Sequence, residues 1–128
     1  MLFRSQNGNL TEMSTSPYAD TVNFDSVAVD QLGKFVYGYA GSQVYAYSIQ
    51  SGTGALSAVS GSPFAADASG QQFEVASDRI AISQDDQYLY AATSAGIDGF
   101  TIDRTTGALT KVPGSPFGAS AGDRKSVV

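Results

Sequence analysis

The segment Val27–Ala66 recurs at Ile80–Ala119 with a constant offset of 53 residues and no gap. Thr53-Gly54-Ala55-Leu56 returns as Thr106-Gly107-Ala108-Leu109, and Gly61-Ser62-Pro63-Phe64 returns as Gly114-Ser115-Pro116-Phe117. A partial copy opens the chain with Asn7-Gly8-Asn9-Leu10 and Ser16-Pro17-Tyr18. It lies 46 residues before its match, so one connection is seven residues shorter. A repeat of this period constrains the fold strongly. Each copy is one supersecondary unit that cannot bury its faces alone and must stack on a neighbour. The chain holds about two and a half such units.

Each unit reads as four short strands. In the first full unit these are Ser26–Asp30, Phe35–Ala40, Val44–Ile49 and Ala55–Val59. In the second they are Arg79–Ser83, Tyr88–Thr93, Ile97–Ile102 and Ala108–Val112. Leu2–Arg4 and Asn9–Met13 supply the last two strands of a preceding unit. Phe35, Tyr37 and Tyr39 alternate with smaller residues, the period-two pattern of a strand with one apolar face. Gly8, Gly54 and Gly107 close the third turn of each copy, where a tight hairpin calls for positive φ. Pro17, Pro63 and Pro116 follow the fourth strand and are expected to end pairing there, since proline donates nothing to a ladder. The aromatic after each proline (Tyr18, Phe64, Phe117) is expected to pack between units. No long helical stripe of apolar residues appears.

Four antiparallel strands at a period near 50 predict an all-β fold, an incomplete β-propeller of about two and a half four-stranded blades. The expected divisions are residues 1–18 for the partial blade, 26–66 for the first full blade and 79–119 for the second. Two motifs then resemble one group of propellers. Gln84-Asp85-Asp86-Gln87-Tyr88-Leu89-Tyr90 is similar to a turn and strand commonly read as Pro-Asp-Gly, a basic residue, then Phe-Leu-Tyr. Ile102-Asp103-Arg104-Thr105-Thr106-Gly107-Ala108-Leu109 is similar to an Asp-x-x-Thr-Gly-x-Leu hairpin. Both resemble the lactonase-like propellers, which include the 6-phosphogluconolactonase type and the YVTN-repeat proteins. The resemblance covers nearly the whole chain and implies a seven-bladed parent of roughly 350 residues. Two departures stand out. Where the family has Tyr-Val-Thr-Asn, this chain has Tyr37-Gly38-Tyr39-Ala40 and Tyr90-Ala91-Ala92-Thr93. Where many members carry Arg-His at the start of the first strand, it has Asp25-Ser26 and Asp78-Arg79.

The resemblance implies hydrolysis of a sugar lactone by the parent, with the fragment itself inactive. Such a reaction needs an electrophile for the carbonyl and a base to activate water. Propeller sites gather at the mouth of the central channel, and the seven extra residues fall in the connection 69–78 that reaches it. Arg79 could stabilise the oxyanion there, and Glu74 or Asp78 could act as the base. The alternative for all three is solvated loop charge. Asp85-Asp86 reads as turn chemistry rather than a cation site. Asp98-Gly99 reads as local strand or turn chemistry. The tyrosines Tyr37, Tyr39, Tyr45, Tyr47 and Tyr90 read either as inter-blade packing or as a carbohydrate platform.

Net charge is −5 with a pI near 4.3, and no basic patch points to nucleic acid. No apolar run has the length of a membrane helix, so membrane insertion is not expected. Cysteine and histidine are both absent, and no cofactor or metal is expected. The expected partners are the remaining blades of the parent or further copies of this chain, with a small sugar-like ligand in the complete ring. Two other readings are a non-catalytic binding or scaffold propeller of the cell envelope, and an exported surface protein. The sequence assigns no compartment. Residues 123–128, Asp-Arg-Lys-Ser-Val-Val, break the texture of the repeat. They match one reading frame of a widely used sequencing adapter, so this tail is expected to be non-native and is excluded from fold reasoning.

Overall fold

The computed structural model describes residues 3–6, 8–13, 16–17, 22–40, 43–66, 80–93 and 96–118. They form an all-β structure with no helix, built from antiparallel sheets. The opening hairpin joins β1 (Phe3–Gln6) to β2 (Asn9–Glu12). The first full sheet has the order β3 (Ser26–Val29), β4 (Phe35–Ala40), β5 (Gln43–Ile49), β6 (Leu56–Ala58), with β7 (Phe64–Ala65) also paired to β5. The second runs β8 (Ile80–Ile82), β9 (Tyr88–Thr93), β10 (Gly96–Ile102), β11 (Leu109–Lys111). The strands fall where the sequence pattern puts them, to within about two residues. The incomplete β-propeller expected from the repeat is therefore the architecture seen.

The fourth strand departs from expectation. Proline interrupts pairing but does not end it. After Ser62-Pro63, pairing resumes as Val44 opposite Phe64 and Gln43 opposite Ala65. The second unit repeats this as an isolated bridge between Ile97 and Phe117. The reason lies in the preceding serine. Ser62 Oγ accepts the Ala46 N–H at 2.9 Å, and Ser115 Oγ accepts the Gly99 N–H at 2.9 Å. A side chain thus fills the gap in the ladder, and the central strand loses no partner. The peptide bonds before Pro17, Pro63 and Pro116 are all cis. The hairpin glycines behave as read: Gly8, Gly54 and Gly107 have φ of 80°, 76° and 82°.

The two full sheets pack face to face, and their first strands, β3 and β8, lie against each other. The front face of the first sheet carries Phe35, Tyr37, Tyr39, Val44 and Ala46, all buried. The back face of the second carries Ile80, Leu89, Ala91, Phe100 and Ile102, also buried, and these residues belong to one core cluster. The outer faces differ. Tyr90, the repeat counterpart of fully buried Tyr37, is 41% exposed, and Val27 is 58% exposed where its counterpart Ile80 is 5%. On the back of the first sheet, Phe24 packs edge-on against Tyr45 and Tyr47, with ring centroids 5.4 and 6.4 Å away. It also lies over Gly38, where a Cβ would come within 2.5 Å of the ring. Phe64 packs against the core, whereas Phe117 is exposed; Tyr18 lies outside the described residues.

Candidate functional site

Sheet order makes β3 and β8 edge strands, and their mutual contact places both on the side where the sheets converge. This is where the sequence locates the candidate catalytic residues. Glu74, Asp78 and Arg79 lie outside the described residues, which resume at Ile80 as β8 begins. The counterpart of Asp78 is described. Asp25 is exposed at the start of β3, and its N–H donates to the Tyr39 carbonyl at 2.8 Å. That bond fixes the backbone where β3 begins.

One polar cluster lies at the joint between the sheets. The Tyr37 hydroxyl, on β4, donates to the Gly107 carbonyl at 3.0 Å across 70 residues of sequence. The Phe35 ring covers the same hairpin at Gly107. Asp86, in the β8–β9 turn, reaches the other way, and its Oδ1 accepts the Gln31 N–H at 2.9 Å. Asp86 is buried at φ 57°, a left-handed conformation that short polar side chains tolerate best. Its counterpart is Gly33, at φ 68°. Asp30 closes the matching turn, its Oδ1 accepting the N–H groups of Lys34 and Phe35 at 2.7 and 3.0 Å. Burial pushes the Tyr37 hydroxyl well above the ordinary tyrosine range, and the carboxylates of Asp30, Asp86 and Asp103 add to the effect. A phenol held neutral with its proton already committed works as a joint. It is neither an accessible acid nor a nucleophile.

Asp98 forms the second cluster. It is fully buried in β10, where the first unit has Tyr45. Lys111 Nζ lies 3.7 Å from its Oδ1, and Ser115 Oγ donates to the same oxygen at 3.2 Å. The buried carboxylate is thus paired and hydrogen-bonded, as burial of a charge requires. The sequence alone gave no means of joining Asp98 to Lys111, since their proximity depends on the β10–β11 register, with Phe100 opposite Lys111.

Asp85 and Asp86 play turn roles. Asp85 Oδ1 accepts the Gln87 N–H at 3.2 Å and the Ser83 hydroxyl at 2.5 Å. The serine bond, then the Gln87 bond, hold its carboxyl below the usual range. Asp103 Oδ1 accepts from the Thr105 and Thr106 N–H groups at 2.8 and 3.2 Å, which lowers its pKa likewise. Among the described residues no group of three or more His, Cys, Asp or Glu could hold a metal ion. No helix among them is long and apolar enough to cross a membrane.

No family model and no curated protein sequence matches the chain. Solved structures do. One is a candidate 6-phosphogluconolactonase from Bacteroides fragilis, 24% identical with a TM-score of 0.65, aligned over 87% of this chain and 31% of its own length. Another is a candidate 6-phosphogluconolactonase from Bacteroides uniformis, 16% identical with a TM-score of 0.65, aligned over 87% of this chain and 32% of its own. At these identities the likeness is one of fold. The chain spans about a third of the length of the structures it matches.

Proposed function

We propose that this chain is a run of blades from a lactonase-like β-propeller, that the complete ring hydrolyses a sugar lactone, and that the run alone does not. The observation that carries this reading is the fold likeness to two candidate 6-phosphogluconolactonases over most of the chain. The two motifs around Asp85–Tyr90 and Asp103–Leu109 support it from the sequence side. In the ring, Arg79 stabilises the oxyanion that forms as water adds to the carbonyl, and Glu74 or Asp78 takes the proton from that water. The test is hydrolysis of a phosphorylated sugar lactone, followed by titration of released acid. The full-length gene product should turn it over, and the chain described should not. Arg79→Ala in the full-length protein should lower kcat about a hundredfold or more. Full activity in that variant would remove Arg79 from the mechanism, and an inactive full-length protein would defeat the lactonase reading.

A second reading has its own observation. Asp25-Ser26 stands where the resembled family commonly has Arg-His, and an aspartate followed by a serine there, with no cationic side chain, suits a binding or scaffold propeller of the cell envelope better than carbonyl activation. Saturable binding of a saccharide by the full-length protein, without turnover, would favour it.

A further inference from the structure

The joint between the two sheets has two sides, and this chain carries a second copy of each, one open and one partly covered by its own side chains. The front face of the second sheet repeats that of the first: Tyr88, Tyr90 and Ile97 stand where Phe35, Tyr37 and Val44 stand, and all three are exposed. Tyr88 and Tyr90 lie side by side, ring centroids 6.3 Å apart. The back face of the first sheet repeats that of the second, with Val27 and Val29 exposed where Ile80 and Ile82 are packed, while the Phe24 ring covers Gly38 and the edges of Tyr45 and Tyr47. We propose that a second copy of this chain covers the open front face of the second sheet with the back face of its own first sheet.

The joint already present specifies the contacts. Shifted by one repeat, the Tyr90 hydroxyl donates to the Gly54 carbonyl of the second copy, as Tyr37 does to Gly107. Tyr88 covers the hairpin at Gly54, as Phe35 covers Gly107. β8 runs along β3 of the second copy, as β3 runs along β8 within the chain. In the single chain Met13 lies over Gly54, where a Cβ would come within 2.8 Å of its methyl group. A flexible thioether can vacate that slot for a ring, and the Phe24 ring must likewise turn off Gly38 for the second sheet of another copy to seat there. One contact does not transpose. Gln31 N–H finds Asp86 across the internal joint, but Gln84 would meet Gly33, which has no acceptor side chain. The joint between copies is therefore the weaker one by a hydrogen bond. It is heterologous, so it repeats in one direction and closes into a ring where the rotation allows. This holds whether or not the complete ring hydrolyses a lactone.

The experiment is sedimentation equilibrium of the full chain across the micromolar range. The expected result is association to one closed oligomer. Tyr90→Ser should weaken it about tenfold, because Tyr90 anchors the centre of the face. Tyr90 is solvent-facing in the single chain, so the circular dichroism of this variant should not change. Gly33→Asp supplies the missing acceptor at a φ that Asp86 already adopts in its counterpart turn, and should tighten association about fivefold. A chain that stays monomeric overturns the proposal, as does association indifferent to Tyr90→Ser. Association that Gly33→Asp leaves unchanged overturns the proposed register. A monomer that binds a saccharide at Tyr88 and Tyr90 would give the face to a ligand instead.

Discussion

The two full sheets are nearly the same object in sequence and very different objects in environment. Tyr37 is sealed in the joint while Tyr90, one repeat on, faces solvent; Ile80 is sealed while Val27, one repeat back, is open. The intrinsic pattern is alike in both, so burial here is decided by what lies alongside. This is the physics of a stacked repeat, in which each unit gains most of its stability from its neighbours. The same comparison separates polar roles. Asp86 and Gly33 occupy one turn position, and only the one facing a neighbour carries a carboxylate that reaches across.

The largest expected effect comes from substituting the matched tyrosines. In dilute solution Tyr37→Ala should destabilise the chain by about 4 kcal/mol, the range for removing a buried aromatic, and Tyr90→Ala by less than about 0.5 kcal/mol. Urea unfolding followed by circular dichroism reads both, and equal effects would break the comparison. Next are the hairpin glycines. Gly52→Ala, at φ 87° in open space, should cost about 1 kcal/mol from backbone strain alone. Gly107→Ala should cost about 1–3 kcal/mol more, because the added Cβ displaces the Phe35 ring. Asp86 sharpens the comparison further. Asp86→Asn keeps an acceptor and tolerates positive φ, so it should be close to neutral. Asp86→Gly should lose about 1 kcal/mol with the cross-sheet bond, and Asp86→Ala should lose more by adding strain. Thermal melts would rank the three, and Gly milder than Asn would contradict the bridging role.

The smallest effects are those of pH. Asp85 and Asp103 have folded pKa values below their unfolded ones, so their contribution is present above the unfolded pKa and is lost as pH falls through the folded value. Their counterparts, Leu32 and Gln50, do not titrate. Asp103→Asn should therefore flatten part of the acid limb of stability. Tyr37 works in the opposite sense. Its raised pKa gives stability that is full below about pH 10, the unfolded value, and is lost as pH rises beyond it. Tyr37→Phe should remove that alkaline loss, as measured by melting temperature against pH.

Much of the fold was legible because the repeat shows each strand twice. The alternation of Phe35, Tyr37 and Tyr39 gave the front face, and three glycines gave the hairpins. The resumption of pairing after Pro63 was not legible, because it depends on Ser62 reaching Ala46 across the sheet. The bridge from Asp86 to Gln31 and the pairing of Asp98 with Lys111 were hidden for the same reason. Both join residues through sheet packing or register, which no local pattern encodes. The tyrosines left two readings open in sequence, and the burial of Tyr37 and Tyr39 in the joint settles those two as packing. Of the candidate site, the described residues contain only Asp25, the repeat counterpart of Asp78, at the start of β3.

The most direct test is chemical footprinting of the matched tyrosines, by nitration and peptide mass spectrometry at low and high protein concentration. The account predicts that Tyr90 is modified readily in dilute solution and protected where the chain associates, while Tyr37 is protected at both. Tyr37 reacting as fast as Tyr90, or Tyr90 staying reactive in the associated state, would contradict it.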